Sequence, residues 1–389
     1  MCDSPFTIAV IATVYFPNSH TDVIVSRWLE PRPDDPAWGW LEPKTRIVSL
    51  FVDQFAEKDM ARGMCAKHNV PLYESVSAAL CRGGETLDVD GVLLIGEHGD
   101  YPETEIGQKM YPRKEFFDHI VKVFQASGRS VPVFCDKHLS WNFDWALQMD
   151  QTACDMGFMF LSSSSIPLCQ RVPELYLTSG HRVDEAVAVF YGGDEAYGYH
   201  SYEFVQAILE NRAEGETGVK AITVYRNDDF WRQLEAGRWS EQLMLVALEA
   251  IRRENPKKVK DGSLRNNCMG DSADGPTAIC LDYRDGMRVT HLNLSGHITS
   301  WGIGIKLDGH EEHLATAPKV DDGTYSHGHF ATMSSVIEKS FLTGHAPFSR
   351  RRSLITTGIT AISMQARANP GVQLLTPELA ITYDAMVDH

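Results

Sequence analysis

Between Ile8 and Ser165 short apolar runs alternate with segments of helical periodicity, the pattern of strands joined by crossover helices around a parallel sheet. Ile8 to Thr13 is the first run, and "RIVSLFV" is the second, ending on Asp53. "VDGVLLIG" ends on Glu97 and His98, "VPVFC" on Asp136, Lys137 and His138, and "FMFLSSSS" closes the series. From Gly91 to Gly96 there is no polar side chain, as a strand covered on both faces requires. Helices are expected at "VIVSRWLE", "EKDMARGMCAKHN", "SVSAALCRGG", "RKEFFDHIVKVFQASG" with its stop at Gly128, and "SWNFDWALQMDQTACDMG". "PRPDDPAWGWLEP", with Pro31, Pro33, Pro36 and Pro43, reads as an irregular surface insertion.

From about Arg182 the pattern changes to strands: "EAVAVFYG", "GVKAITVY", "TAICLDYRDG", "MRVTHLNLS" and "WGIGIKLDG". Asp285-Gly286 and Asp308-Gly309 suit hairpin turns. The expected fold class is therefore α/β. A Rossmann-like, doubly wound parallel sheet over residues 1–163 precedes an α+β domain over 164–389 with a large, mainly antiparallel open sheet. A chain of 389 residues has the length for two such domains.

Charge narrows the partners. With 36 basic and 52 acidic side chains the net charge is −16, so the average surface repels nucleic acid and anionic membrane. The dense basic cluster "SRRRS" (Ser349–Ser353) reads as a solvated turn ahead of a helix, or else as a phosphate or carboxylate contact. No segment has the length and purity of a membrane span, and "MCDSPFTIAV" lacks a signal-peptide pattern, so a cytoplasmic location is expected. Eight cysteines without a C-x-x-C pair read as reduced, mostly buried thiols.

In open parallel sheets ligands bind beyond the carboxyl ends of the strands. Those ends carry Glu97, His98, Asp100 and Tyr101 after one run, and Asp136, Lys137 and His138 after the next. Neighbouring strands lie about 5 Å apart, so both sets can face one space. His98, His138, His200 and Glu97 are candidate ligands for a divalent ion such as zinc, manganese, iron or nickel; alternatively they hydrogen-bond a polar substrate directly. Lys137 can donate a proton to a carbonyl oxygen, with Tyr101 assisting. A phosphate-binding turn after the first strand normally needs glycine, yet Ala12 to Asn18 contains none, and Val14 is expected to project where a cofactor backbone would lie. Asp53 is placed to hold ribose hydroxyls or to cap the next helix. His297 is expected on a strand, pointing to the cleft or to an oligomer face. His310, His313, His327 and His329 read as surface residues in polar turns, and "SSSSIP" (Ser162–Pro167) as cleft lining or linker.

Cys135-Asp136-Lys137-His138 after "VDGVLLIG-EH", and "GGDEAYGYHSYEFVQAILE" further on, resemble the glucose-fructose oxidoreductase, inositol dehydrogenase and MocA family. Its fifth strand ends in Glu-Lys-Pro, and its second motif is G-G-x-x-x-D-x-G-x-H. Lys137, Gly198 and His200 match; Asp136 replaces the glutamate, His138 the proline, and Ala196 the acid, with Glu195 beside it. The resemblance implies NAD(H)- or NADP(H)-dependent oxidation or reduction of a sugar, polyol or similar hydroxyl compound. Lys137 and His200 would assist proton transfer with Tyr101 and Glu195, and Thr13, Val14, Asp53 and Glu97 would line the cofactor site. It also implies a homo-oligomer, dimer or tetramer, formed through the second-domain sheet. The alternative is a metal-dependent, redox-neutral enzyme, a lyase, hydratase or isomerase, with a vestigial dinucleotide site and His98 and His138 as ligands.

Overall fold

The computed structural model describes residues 5–32, 42–177, 180–269, 275–320 and 327–385. Residues 33–41 of the proline-rich insertion lie outside the described residues. The first sheet comprises β1 (Phe6–Ala12), β2 (Thr45–Val52), β3 (Leu72–Tyr73), β4 (Gly91–Ile95), β5 (Val133–Asp136) and β6 (Phe160–Ser163). Its order is β3-β2-β1-β4-β5-β6, with every pairing parallel. The uninterrupted apolar runs are explained by two cores. Ala9, Ile11, Val92 and Leu94 enter one, while Ile8, Val10, Leu93 and Ile95 enter the other. Strand order reverses between β1 and β4, which opens a crevice at their carboxyl ends.

The helices between these strands are α1 (His20–Leu29), α2 (Ala61–His68), α3 (Val76–Leu80), α4 (Arg113–Ser127) and α5 (Phe143–Met156). Ser19, Ser75 and Asn142 cap α1, α3 and α5 with side-chain oxygens, and Gly128 and Gly157 end α4 and α5 in left-handed backbone.

The second sheet comprises β7 (Arg171–Val172), β8 (Val183–Phe190), β9 (Val219–Arg226), β10 (Thr277–Tyr283), β11 (Arg288–Asn293), β12 (Gly302–Leu307), β13 (His313–Pro318) and β14 (Leu374–Leu375). In the order β14-β9-β10-β11-β8-β12-β13-β7, only the β11–β8 pairing is parallel among the described strands. Asp285-Gly286 and Asp308-Gly309 turn the β10–β11 and β12–β13 hairpins. The accompanying helices are α6 (Ala196–Leu209), α7 (Asp228–Glu235), α8 (Glu241–Glu254), α9 (Leu264–Met269), α10 (His329–Thr343) and α11 (Arg350–Ala368).

Both faces of this sheet are covered. Ala186, Ala188, Ile303 and Ile305 join a core with Val205 and Ile208 of α6 and Ile355 and Ile359 of α11. The alternate residues Val187 and Val189 pack with Phe230 of α7 and with Leu243 and Ala247 of α8. On β12, Gly302 and Gly304 let α8 approach closely: a Cβ on Gly302 would stand 2.8 Å from the Ala247 carbonyl oxygen, and one on Gly304 would overlap that of Leu243. The outer face of this sheet therefore carries the chain's own helices α7 and α8. Helix α10 crosses back to the first sheet, where Phe330, Met333, Ile337 and Phe341 share a core with Ile8, Val10 and Leu93.

The "SRRRS" cluster is not a solvated turn. Ser349 caps α11, Arg350 pairs with Asp150 at 2.7 Å, and buried Arg352 donates to both oxygens of Glu210. His297 lies in the turn after β11, where its Nδ1 meets the Asn267 amide at 2.9 Å. It points neither along a strand nor into the cleft. Cys65, Cys81, Cys135, Cys268 and Cys280 are buried free thiols, and Cys154 is an exposed one. Among the described residues no helix is long and apolar enough to cross a membrane.

Close helix-on-sheet packing at β12 gives a direct check. Gly304→Ala should cost about 1–3 kcal/mol in denaturant unfolding, because the added methyl meets backbone that cannot rotate away. Gly193→Ala, where a Cβ has open space, should stay within about 0.5 kcal/mol of the parent.

Candidate active site

The foot of the crevice is built on one carboxylate. Glu97 follows β4 and is 6% exposed. Its Oε2 accepts from the Arg113 guanidinium at 2.5 Å, and its Oε1 from the Lys137 ammonium at 3.0 Å. Lys137 follows the neighbouring β5, so the expectation that these two strand ends meet holds for this pair. Gly96 makes room for Arg113, since a Cβ there would lie 2.5 Å from the arginine Cγ. Burial opposes ionisation of Glu97, but the charges of Lys137 and Arg113 overcome it and hold the carboxyl well below its usual range.

His20 joins this group from the first turn of α1. Its Nδ1 lies 2.6 Å from Oδ2 of fully buried Asp136. One ligand atom each from His20, Glu97 and His98 fall within 4.8 Å of one another. His98 has φ +67°, a left-handed backbone that is uncommon outside glycine, and it turns two sequence neighbours toward one point. Burial, with His20 and Lys137 alongside, pulls the His98 imidazole down to about 4, so it is neutral at pH 7.

Across the cleft, α6 supplies His200, whose buried Nδ1 has no partner and whose imidazole is pulled well below its ordinary value by burial and then by Lys137. Tyr197 stacks on Trp301 at 5.8 Å and 9°, with Tyr191 at 5.0 Å from the same indole, forming an aromatic wall. The cavity of about 750 Å³ is lined by these residues together with His20, Glu97, His98, Lys137, His327 and His329. His327 and His329, read from sequence as surface residues, thus face the cleft, as does Ser165.

The other expected residues fall elsewhere. His138 does not join His98: its Nδ1 meets the Ser140 carbonyl at 2.8 Å and its Nε2 stands 4.0 Å from Glu195. Among the described residues neither His138 nor His200 enters a group of three metal-capable side chains. Glu195 accepts from the Lys109 amide at 3.0 Å, and burial pushes its carboxyl up to about 7. Tyr101 donates to Asp53 at 2.6 Å; burial and that bond raise its hydroxyl far above the usual range. Thr13 donates its hydroxyl to the Glu97 carbonyl at 2.7 Å, tying β1 to β4. Val14 is 2% exposed and packs inside, so it does not project into the cleft as expected.

Whether a dinucleotide fits is decided by the turn. The segment from Thr13 to Ser19 spans seven residues before α1 begins, and four of its amides are spent internally. Thr13 donates to Ile95, Phe16 to the Ser19 hydroxyl, Asn18 to Asp22 and Ser19 to Phe16, while Pro17 has no amide. Asp22 places a carboxylate at the helix start, where a pyrophosphate would have to sit. The phosphate end of such a site does not fit a dinucleotide; at the end of β2 the exposed Asp53 accepts from Tyr101.

No protein-family model matches the sequence, and no curated protein matches it. Solved structures do. GenD2 from gentamicin A biosynthesis, in complex with NAD, aligns with 96% of this chain and 97% of its own, with TM-score 0.56 at 10% identity. The chain shares the fold of a dehydrogenase. A probable dehydrogenase from Thermotoga maritima aligns over 96% and 100% of the two chains (TM-score 0.57, 12% identity), and apo scyllo-inositol dehydrogenase from Lactobacillus casei over 96% and 99% (TM-score 0.57, 8% identity).

Sequence reasoning missed His20, although position alone could have found it: it opens the helix after β1, and β1 adjoins β4 at the crossover point. A pH test follows from Glu195 and from Glu203, whose buried carboxyl is likewise pushed up to about 7. Raised carboxyl values contribute stability that is complete below the unfolded value and is lost as pH rises through about 7. Unfolding free energy should fall by about 1–3 kcal/mol per group between about pH 4.5 and about pH 7, and level off above that. Glu195→Gln and Glu203→Gln should each flatten that slope in urea titrations.

Proposed function

We propose that this chain is an enzyme of the glucose-fructose oxidoreductase, inositol dehydrogenase and MocA type that moves a proton on a hydroxy-carbonyl compound bound between the two sheets. The substrate is polyhydroxylated, of sugar or polyol class, and the reaction is redox-neutral: an isomerisation, elimination or hydration. Lys137 is the transferring group. It stands at the foot of the cleft, fixed by Glu97, with its ammonium able to protonate a carbonyl oxygen or stabilise an enolate. Neutral His200 faces it as the base that takes the proton from the carbon beside the carbonyl, while Lys137 supplies one to the carbonyl oxygen. The aromatic wall of Tyr191, Tyr197 and Trp301 offers an apolar surface to the carbon face of a ring.

The single observation that carries this reading over nicotinamide-dependent oxidation is the closed turn between β1 and α1, whose amides and Asp22 leave no cradle for a pyrophosphate. A second reading keeps the cofactor. Asp53 stands at the end of β2, and the structural neighbours are dehydrogenases, one of them solved with NAD. Under it the chain oxidises or reduces the same class of compound with NAD(H) or NADP(H).

Incubation of the protein with ketoses and inososes in deuterated water separates the two. We expect deuterium to enter at the carbon beside the carbonyl without added nicotinamide, and Lys137→Met to slow this by about 10²-fold or more. Reduced-nicotinamide absorbance that requires both NAD(P) and an alcohol, with no exchange in its absence, would establish the second reading instead.

A further inference from the structure

We propose that His20, Glu97 and His98 bind one divalent transition-metal ion at the point where the strand order of the first sheet reverses, with Asp136 as the positioning residue behind His20. The sequence reading had paired His98 with His138; the fold pairs it with a histidine from the neighbouring β1–α1 connection.

The geometry is close to that of a loaded site. Three ligand atoms bound at about 2.0–2.2 Å in tetrahedral geometry lie about 3.3–3.6 Å apart, so three atoms already within 4.8 Å need to close by little more than about one ångström. Two imidazoles and one carboxylate are a donor set for zinc in catalytic sites and for non-haem iron(II), and they disfavour calcium and magnesium, which take oxygen ligands. The Asp136 contact is the second observation. Asp136 is fully buried and engages Nδ1 of His20 at 2.6 Å, which fixes the ring and leaves Nε2 as the nitrogen to ligate, the arrangement by which carboxylates orient metal-bound histidines. A third is His98 Nδ1, a buried nitrogen without a hydrogen-bond partner. The His20 ring is further held edge-on between His98 and Phe330, each at 5.2 Å.

Glu97 can serve although Lys137 and Arg113 hold it, because a carboxylate has about four acceptor positions and these two bonds use two. The charges of Glu97 and Asp136 cancel those of Lys137 and Arg113. A divalent ion added to this set keeps its charge uncompensated, so it draws an anionic oxygen, an alkoxide or carboxylate of the substrate, into the positions that face the cavity. That last step rests on the reading of the cleft as the reaction site, whereas the binding of the ion does not.

The test uses the full chain, stripped with chelator and titrated with zinc against a chromophoric competitor, then with cobalt(II). We expect one zinc per chain. His20→Ala and His98→Gln should each weaken it by about 100-fold or more, and Asp136→Asn by about 10–100-fold. His310→Ala, at an exposed hairpin, should leave it unchanged. Thermal melts check that the variants fold. X-ray absorption of the cobalt form of the unaltered chain reads the ligands without any substitution and should show two imidazoles. Zinc affinity unchanged in both His20→Ala and His98→Gln, fewer than two imidazoles in the absorption data, or no stoichiometric zinc would overturn the proposal. Stoichiometric zinc at these residues together with undiminished exchange in Lys137→Met would leave the metal site standing and remove the proposed reaction.

Discussion

The site depends on a carboxylate that is almost out of water. Glu97 is tolerable there only because Arg113 and Lys137 each satisfy one of its oxygens, and Lys137 is tolerable only because Glu97 is there. The three residues come from the end of β4, the start of α4 and the end of β5, so pairing of two parallel strands is what brings them together. Once that unit is fixed, the neighbouring positions follow. Thr13 locks β1 to the Glu97 backbone, and His98 turns toward α1. His20 meets both with Asp136 behind it.

Much of this was legible in the sequence, and the limits have physical causes. Apolar runs ending in polar residues marked where the parallel strands lie along the chain, because only a strand covered on both faces lacks the alternation of a half-exposed one. Adjacency of β4 and β5 then placed Glu97 beside Lys137. The inference failed one residue further along: His138 turns to the Ser140 carbonyl and toward Glu195, since strand neighbours share a space only where their side chains leave the sheet in the same direction. His20 was passed over because a seven-residue connection separates it from β1, and only its place at the start of the helix beside the crossover point marks it. His327 and His329 were read as surface residues because polar turns usually are; α10 carries them back over the first sheet, a long-range packing that composition does not encode.

The second sheet shows the same division. Its hairpins announced themselves through Asp-Gly pairs, whereas the covering of its outer face did not, because α7 and α8 look like ordinary amphipathic helices. The place of α8 is written in Gly302 and Gly304, two residues whose missing side chains have meaning only against a helix already in position. The turn after β1 is a further case: absence of glycine was plain, but the reason a pyrophosphate lacks a seat is the internal use of the amides and the carboxylate of Asp22, and the buried Val14 has no part in it. A dehydrogenase fold, seen at 8–12% identity, thus holds a cleft whose chemistry must be argued from its own residues.

The central claim is that Glu97 and Lys137 act as one buried unit. A double-mutant cycle of Glu97→Gln and Lys137→Met, followed by urea unfolding, measures this directly. The account predicts a coupling of about 1.5–3 kcal/mol, the double variant being far less destabilised than the sum of the singles. Additivity within about 0.5 kcal/mol would show that the two side chains are energetically independent, and would contradict it.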